Sequence, residues 1–100
     1  MGRRAKAILI HERDNVATAL ETLEAGTTVT LEIAGRAEGV TLPSGIPAGH
    51  KFALRQIEAG AFVIKYGEPI GKAAARILPG EHVHVHNVES KVKKQAGASV

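Results

Sequence analysis

Residues 28–33, with the sequence TVTLEI, decide the fold class because every second side chain is apolar. This alternation is the pattern of a strand with one buried face and one exposed face. The following segment AGRAEGV, at 34–40, supplies a turn, and residues 40–42 form a short return strand. The sequence therefore predicts antiparallel β structure here.

Shorter strand-like runs flank this segment, at 5–10, 52–54, 62–66 and 82–88. Four Ala-Gly or Pro-Gly pairs each precede a strand-like run, at 25–26, 48–49, 59–60 and 79–80. Such pairs indicate one repeated turn chemistry, because glycine accepts the positive φ angle from which a strand can depart. Their unequal spacing argues against a solenoid, so we predict one small, turn-rich β domain.

One segment has helical rather than strand-like spacing: HERDNVATALETLEAG at 11–26. The side chain of Asp14 or Asn15 can accept the unpaired amide hydrogens of a first helical turn. Apolar residues then follow at i, i+4 and i+7 from Val16, and Gly26 suits the C-terminal cap. We therefore predict a mostly β fold with one helix, at this segment, packed against it.

The composition fits a single small domain and excludes several kinds of site. The chain has 100 residues, of which 44% are hydrophobic and 23% charged, as in ordinary globular proteins. It has no cysteine, which excludes a disulfide scaffold, a thiolate zinc site, an iron–sulfur cluster and a cysteine nucleophile. No apolar run reaches the ~20 residues of a membrane-spanning helix, and the one near the N-terminus is too short for a signal peptide. We therefore expect a cytoplasmic protein.

The net charge of +3 comes largely from basic residues near both ends of the chain. Such charge could attract nucleic acid, but no aromatic residue is interleaved with the basic ones, so the stacking platform of a single-strand binder is missing. The sequence also contains no glycine-rich nucleotide-binding loop and no G-x-S-x-G elbow. Nucleotide binding and serine hydrolase chemistry therefore have no support, and we expect neither nucleic-acid nor membrane binding.

The segment HVHVHN, at 82–87, is the sharpest chemical feature. On a strand, His82, His84 and His86 share one face at intervals of about 6.6 Å, so two neighbours can converge on one ion and all three would need a bend. Further metal ligands would come from elsewhere in the chain, with four candidates: His11, Asp14, His50 and Glu81. The alternative is an exposed polar strand face whose imidazoles bond only to water.

Two further motifs could contact a substrate. His50 and Lys51 follow a Pro/Gly turn, and a neighbouring cation disfavours the imidazolium, which suits a neutral general base. In FVIKYGEPIG, at 62–71, a glycine-flanked turn could present backbone N–H groups to a carboxylate. The alternatives are an ordinary turn histidine beside a solvated lysine, and a hairpin whose Tyr66 ring completes the core.

Four blocks of the sequence, in this order, resemble the SAF-type N-terminal domain of the altronate/galactarate dehydratase family: HERDNVATALETLEAG, GHKFALRQIEAG, VIKYGEPIGKA and GEHVHVHN. The resemblance covers about residues 7–88, and the domain also occurs as a separate small subunit, with sulfolactate sulfo-lyase small subunits as relatives. It implies a β-clip fold of bent hairpins, as in antifreeze-like domains. On this basis we assign residues 1–4 to a basic extension, 5–88 to the SAF-type domain and 89–100 to a flexible basic tail.

The family's enzymes remove water from sugar acids such as altronate, giving 2-keto-3-deoxy acids, and depend on a divalent metal that is typically iron. The resemblance therefore implies an iron-dependent hydro-lyase. Within the matching blocks we assign metal binding to His82, His84 and His86, and catalysis to His50, Lys51 and His86. The other characteristic residues are assigned to substrate binding: His11, Asp14, Asn15, Lys65, Tyr66, Gly67 and Asn87.

The resemblance also implies a partner. Longer family members continue into a large domain with much of the catalytic machinery, and one small domain has little volume for a water-excluding pocket of about 300 Å³ or more. We therefore expect an accessory subunit that lends histidines to a large catalytic subunit, binds a sugar acid and has little activity alone; a homo-oligomer is left open. The alternative is a non-catalytic carbohydrate-binding or assembly module.

Overall fold

A computed structural model describes residues 6–90 of the chain, and within that range every regular element is a β-strand. The strands are β1 (Ala7–Ile8), β2 (Val16–Ala19), β3 (Thr28–Ile33), β4 (Arg36–Thr41), β5 (Lys51–Ala53), β6 (Phe62–Lys65), β7 (Glu68–Ala73), β8 (His82–Val83) and β9 (Val88–Ser90). The predicted extension at 1–4 and the predicted tail from residue 91 lie outside the described residues, whereas residues 89 and 90 belong to β9. The described part contains no helix that could cross a membrane.

The strands form three antiparallel sheets. A central four-stranded sheet has the order β1-β2-β5-β8. β3 and β4 pair as one hairpin, and β6 and β7 pair as a second hairpin, to which β9 adds a third strand. Strand β3 alternates between exposed and buried residues, as its sequence predicts. The mostly β fold is therefore confirmed.

Four copies of one turn connect these sheets. In each copy a glycine adopts a φ angle between 86° and 88°, which confirms the repeated turn chemistry: Gly26, Gly49, Gly60 and Gly80. A buried aliphatic residue lies three positions before each glycine, and these residues pair across the ends of a hairpin: Leu23 with Ile46, and Ile57 with Ile77. Two backbone hydrogen bonds of 2.8 Å join each pair. The same kind of hydrogen-bonded aliphatic pair therefore closes both hairpins.

Two buried clusters correspond to the two hairpins. The cluster under β3–β4 includes Leu42 and Phe52, and the cluster under β6–β7 includes Val63 and Ile77. Strand β5 contributes to both, because Phe52 belongs to the first and its neighbour Ala53 to the second. Successive side chains of a strand point to opposite faces, so the central sheet separates the two clusters.

The helix predicted at 11–26 is wrong, because this segment contains strand β2, which pairs with β1 on one side and with β5 on the other. Hydrogen bonds to two neighbouring strands outweigh a weak helical preference. The apolar spacing is also misleading, since Leu20, within the predicted apolar stripe, is 52% exposed. The side chains of Asp14 and Asn15, expected at a helix cap, instead bind the backbone of β6 and of the turn that follows it.

Candidate functional site

The histidine segment forms a turn rather than the continuous strand predicted at 82–88, so that prediction is wrong. Strand β8 ends at Val83, and Asn87 closes a turn over residues 84–87. The Oδ1 atom of Asn87 accepts a hydrogen bond of 2.9 Å from the His84 N–H, and its Nδ2 atom donates one of 2.9 Å to the His82 carbonyl. Asparagine side chains that bond to nearby backbone groups compete in this way with strand pairing.

Strand pairing brings His50 to this turn. In the antiparallel pair of β5 and β8, Lys51 lies opposite Val83, so the same register places His50 opposite His84. The rings of His50 and His84 are stacked with centroids 4.1 Å apart, and Nδ1 of His50 is hydrogen-bonded to Nε2 of His82 at 2.8 Å. His50, His82 and His84 thus form one group, the three-histidine cluster, although they come from two distant parts of the sequence.

His86 lies beside this cluster. Its ring is next to that of His82, with centroids 5.1 Å apart and planes inclined by 35°. The nitrogen atoms that could bind one ion lie within 4.8 Å of one another in the three-histidine cluster. The structure therefore brings together the four histidines assigned to catalysis or metal binding, and places His50, rather than His86, in the closest set with His82 and His84.

The three-histidine cluster fits the divalent metal implied by the family resemblance. Metal–nitrogen bonds of ~2.0–2.1 Å place the ligand nitrogens of a tetrahedral ion about 3.4 Å apart. The three ring nitrogens lie within 4.8 Å of one another, so the rings would have to turn toward a common point to bind one ion together. Imidazole binds iron as well as zinc, so the donor set suits the expected iron.

The surroundings of two of the clustered imidazoles favour the neutral form. The pKa values of His82 and His84 lie below the ordinary histidine value because partial burial disfavours the charged ring, and because neighbouring histidines and Lys51 repel positive charge. A neutral imidazole is the form that binds a metal or accepts a proton. The pKa of Lys51 is lowered as well, first by burial and then by the nearby Lys65, so an anion placed there would be stabilised.

Two cavities adjoin the cluster. The larger, of about 330 Å³, is lined by polar side chains: Ser44, Glu81, His82, His86 and Asn87. The smaller, of about 170 Å³, is lined by one amine, one imidazole and three aliphatic side chains: Lys51, Ile70, His84, Val85 and Val88. We call them the Glu81 cavity and the Lys51 cavity. Because His82 lines the first and His84 the second, the cluster contributes to both.

Sequence reasoning missed some of the cavity residues. Ser44 lies in the Pro- and Gly-rich segment 43–50, where no spacing links it to the histidines. Ile70 and Val88 look like core residues in a sequence. Val85 was expected on the strand face opposite the histidines, but the turn leaves it 82% exposed beside His84. Asn87 was the one residue whose type indicated the turn at 84–87, because asparagine is a frequent turn residue.

Asp14 and Asn15 bind backbone groups of the second hairpin. Asp14 is 1% exposed, and its carboxylate accepts hydrogen bonds from the His11 N–H at 3.1 Å and from the Gly67 N–H at 2.8 Å. Asn15 accepts one of 2.8 Å from the Ile64 N–H and donates one of 3.0 Å to a carbonyl of β6. The two side chains therefore fix the hairpin β6–β7 to the segment before β2.

The turn of the second hairpin carries the remaining predicted residues. Tyr66 and Gly67 have φ angles of 59° and 74°, and a Cβ atom at position 67 would lie 3.0 Å from the His11 ring. The Tyr66 ring is 57% exposed, with the Lys65 amine 4.4 Å from its centroid, so it does not complete the core. The charge of Lys65 also helps to lower the pKa of Lys51, which lines the Lys51 cavity.

Comparisons with known proteins point to one family. Residues 5–91 match the family model of the altronate/galactarate dehydratase SAF domain. The chain is 49% identical over 85 residues to altronate dehydratase of Escherichia coli (strain K12), which is 85% of this chain and 16% of that protein. It is 39% identical over 87 residues to altronate dehydratase of Bacillus subtilis (strain 168), again 85% of this chain and 16% of that protein.

A third relative is much shorter. The chain is 37% identical over 87 residues to (2R)-sulfolactate sulfo-lyase subunit alpha of Chromohalobacter salexigens, which is 83% of this chain and 93% of that subunit. The chain thus spans 16% of the length of the two altronate dehydratases and most of the sulfo-lyase subunit. The matching segment therefore occurs in proteins of very different length.

Proposed function

Because the chain belongs to the altronate/galactarate dehydratase SAF domain family, we propose that it acts as the accessory component of a lyase that removes water from a sugar acid. Family membership confirms the resemblance expected from the four sequence blocks. The observation that carries the proposal is the three-histidine cluster, which adjoins a half-buried lysine and two cavities. These groups can bind a carboxylate and transfer protons, as an elimination next to a carboxylate requires.

A larger catalytic partner would complete the site. In the two altronate dehydratases the matching segment is 16% of the protein, so most of each enzyme lies outside it. In the sulfo-lyase relative, the segment is most of a chain named subunit alpha. The two cavities, of about 330 and 170 Å³, lie near or below the lower end of the ~300–1,000 Å³ of ligand sites. Their size supports a pocket to which a second chain or domain adds further walls.

Lys51 is the residue that we expect to bind the carboxylate of the substrate. Its amine lines the smaller cavity and lies near Lys65, and a bound carboxylate would relieve the repulsion that lowers its pKa. Three aliphatic side chains share this cavity, and walls added by a partner would exclude water and so strengthen an ion pair between an amine and a carboxylate.

Histidines next to Lys51 are the candidates for proton transfer. Loss of water needs a base for the proton next to the carboxylate and an acid for the departing hydroxyl. His84 shares the Lys51 cavity, and His86 lines the Glu81 cavity beside His82. His86 lies outside the closest set of three rings, so it can transfer a proton while those rings are engaged with a metal.

The three-histidine cluster is the site that we propose for a divalent metal, expected from the resemblance to be iron. His50, His82 and His84 would hold it through ring nitrogens. A bound metal supplies Lewis-acid stabilisation of the negative charge that develops on a carboxylate during elimination. Asn87 keeps two of these residues in place through its bonds to their backbone.

Cleavage of sulfolactate is the second candidate function. It is favoured by the 93% coverage of the sulfo-lyase subunit alpha. Loss of sulfite from a sulfonate and loss of water are both eliminations, so Lys51 and the histidines would keep the same roles. The difference between the two reactions would then lie in the leaving group that the completed pocket accepts.

A segment exchange tests the proposal and separates the two candidates. The matching segment is deleted from the E. coli altronate dehydratase, and this chain is supplied in its place, fused or separate. The same exchange is made for subunit alpha of the C. salexigens sulfo-lyase. Restored dehydration of altronate supports the first function, and restored cleavage of sulfolactate alone supports the second. Failure of both exchanges, while each native segment restores its own enzyme, would overturn the proposal.

Variants in the restored enzyme test the cluster. His84→Ala should lower both bound metal and kcat/KM, the latter about 100-fold or more, because a ligand is lost. The control is Glu38→Gln on the exposed part of β4, which should change neither quantity. Unchanged metal content and turnover in His84→Ala would contradict the assignment.

A further inference from the structure

One face of the central sheet is covered on one side only. The strand register sets four residues in a row across the sheet, with their side chains on the same face: Ile8, Thr18, Lys51 and Val83. Val83 is buried in the cluster under the second hairpin, whereas Ile8 is 41% exposed. The second hairpin therefore covers this face at β8 and leaves it open at β1.

The open part of this face is apolar. Leu20, two residues after Thr18, donates its N–H to the Lys6 carbonyl at 2.8 Å, which extends the pairing of β1 and β2. The Leu20 side chain is therefore a diagonal neighbour of Ile8 on the same face, and about half of it is exposed. We call Ile8 and Leu20 the β1–β2 patch. Adjacent exposed aliphatic side chains of this kind favour contact with another apolar surface.

Lys51 lies between this patch and the Lys51 cavity. In the strand order β1-β2-β5-β8, Lys51 on β5 has the patch on one side and the histidine turn on the other. Val85, in that turn, lines the Lys51 cavity and is largely exposed. Exposed apolar side chains thus lie on both sides of Lys51. A surface that closes the Lys51 cavity over Val85 can extend across Thr18 to the patch.

We propose that the β1–β2 patch is the surface on which the catalytic chain or domain of the proposed lyase docks. This inference rests on the proposed function, which needs further walls at the Lys51 cavity, and it adds the place where the partner is held. In the two altronate dehydratases most of the protein lies outside the matching segment, so each enzyme has ample surface to cover the patch.

Charge defines the partner surface more closely. Lys6 is exposed and lies opposite Leu20, and the chain has a net charge of +3. We therefore expect an apolar partner surface with a carboxylate facing Lys6. A second copy of this chain fits less well, because a symmetric contact along β1 would bring together two Lys6 amines and two chains of positive charge.

Labelling of exposed side chains tests the surface directly. The full chain is mixed with E. coli altronate dehydratase that lacks its matching segment, in a preparation shown to rebind the native segment. Hydroxyl-radical labelling with mass spectrometry then compares the free and the bound chain. Binding should reduce the labelling of Ile8 and Leu20 about fivefold or more, because a docked apolar surface excludes water.

Leu78 is the matched control for this labelling. It is 44% exposed, and the turn that carries it lies at the other end of β5, where the Gly80 N–H binds the Ala53 carbonyl. Its labelling should be the same in the free and the bound chain.

Two variants measure the contribution of the patch by calorimetric titration. Leu20→Asp should weaken binding about 10-fold or more, whereas Leu78→Asp, the same kind of change away from the patch, should stay within about twofold. Lys6→Glu changes an exposed side chain and leaves the apolar surface intact. It should weaken binding about threefold at low salt and less at high salt.

The outcomes separate this inference from the proposed function. Binding that leaves the labelling of Ile8 and Leu20 unchanged, with full affinity in Leu20→Asp, would overturn the docking surface and leave the proposed function intact. Protection of Ile8 and Leu20 that rises with the concentration of the free chain would also overturn it, since a second copy would then cover the patch. No binding of this chain, while the native segment rebinds, would overturn the surface together with the accessory role. Protection on binding, with a loss of affinity in Leu20→Asp but not in Leu78→Asp, supports the inference.

Discussion

The two hairpins of this domain share one turn conformation but differ in what surrounds it. Hairpin β3–β4 turns at Ala34 and Gly35, with φ angles of 53° and 80°, and hairpin β6–β7 turns at Tyr66 and Gly67, with 59° and 74°. A Cβ atom at position 35 would have no atom within 4 Å, whereas one at position 67 would lie 3.0 Å from the His11 ring. The first turn therefore depends on local chemistry, and the second depends on tertiary contacts as well.

The additional contacts of the second hairpin lead to the candidate site. Asp14 and Asn15 bind this hairpin, and β9 pairs with β7 directly after the histidine turn, with Ala73 opposite Val88. The histidine turn is thus held at one end by β8 in the central sheet and at the other by β9. Turn chemistry is sufficient to shape a hairpin, whereas the geometry of the site requires contacts between distant segments.

Among the changes that compare the two hairpins, removal of the buried Asp14 carboxylate should have the largest effect on stability. Asp14→Ala takes the acceptor from the N–H groups of His11 and Gly67. Loss of two hydrogen bonds to a charged group should lower the free energy of unfolding by about 3 kcal/mol, measured by urea denaturation. Glu38→Ala, on the first hairpin, should change it by less than about 0.5 kcal/mol. Equal losses in the two variants would contradict the role of Asp14.

Asn87→Ala should have the next largest effect, because Asn87 closes the histidine turn, which leads into strand β9 beside the second hairpin. Asn87→Ala removes both side-chain hydrogen bonds that close this turn, so the full chain should bind zinc about 30-fold more weakly in calorimetric titrations. Asn87→Asp keeps an acceptor for the His84 N–H and should recover part of the affinity. Unchanged zinc affinity in Asn87→Ala would show that the turn does not position the rings.

The same substitution in both turns gives the most direct comparison. Alanine at position 35 or 67 must adopt a positive φ angle, which should cost about 1 kcal/mol of stability. At position 67 the new Cβ atom must also displace the His11 ring, which raises the expected cost to about 2 kcal/mol. Urea denaturation of Gly35→Ala and Gly67→Ala measures the difference. Equal losses of stability would mean that the His11 ring moves aside without a cost in free energy.

Acid should have the smallest effect on stability, and this effect should arise at the histidine turn. The pKa values of His82 and His84 are lowered in the folded protein, so below the ordinary histidine value of about 6.5 the unfolded chain binds more protons. Stability should therefore be complete above that pH and should decrease as the pH falls toward the lowered values. Urea denaturation in the presence of a chelator should show this decrease, and a shallower one in His84→Asn. An identical decrease in that variant would contradict the origin of the effect.

Local patterns made much of the fold predictable from the sequence. The alternation in β3 and the four glycine turns each lie within a few neighbouring residues. The segment 11–26 was misinterpreted because the groups of the second hairpin that Asp14 and Asn15 bind lie 47 to 53 residues further along the chain. Aspartate and asparagine are common both at helix caps and where a side chain binds the backbone of a distant strand. The sequence pattern therefore cannot distinguish the two roles.

The site was predictable in its residues but not in its geometry. Spacing and resemblance point to the histidines, yet the register of β5 and β8 places His50 beside His84. The end of the predicted histidine strand likewise depends on the side chain of one residue, Asn87. Neither the register nor that turn leaves a periodic signal in the segment it shapes.

The repeated turn gives positions 50 and 81 the same backbone setting. His50 and Glu81 each follow a positive-φ glycine, and each donates its N–H to the carbonyl three residues earlier, at Pro47 and at Leu78, with a length of 3.0 Å. The two turns thus present an imidazole and a carboxylate from equivalent backbone positions. Positions 50 and 81 are therefore places where protein engineers can introduce new functional groups while the turns that hold them are kept.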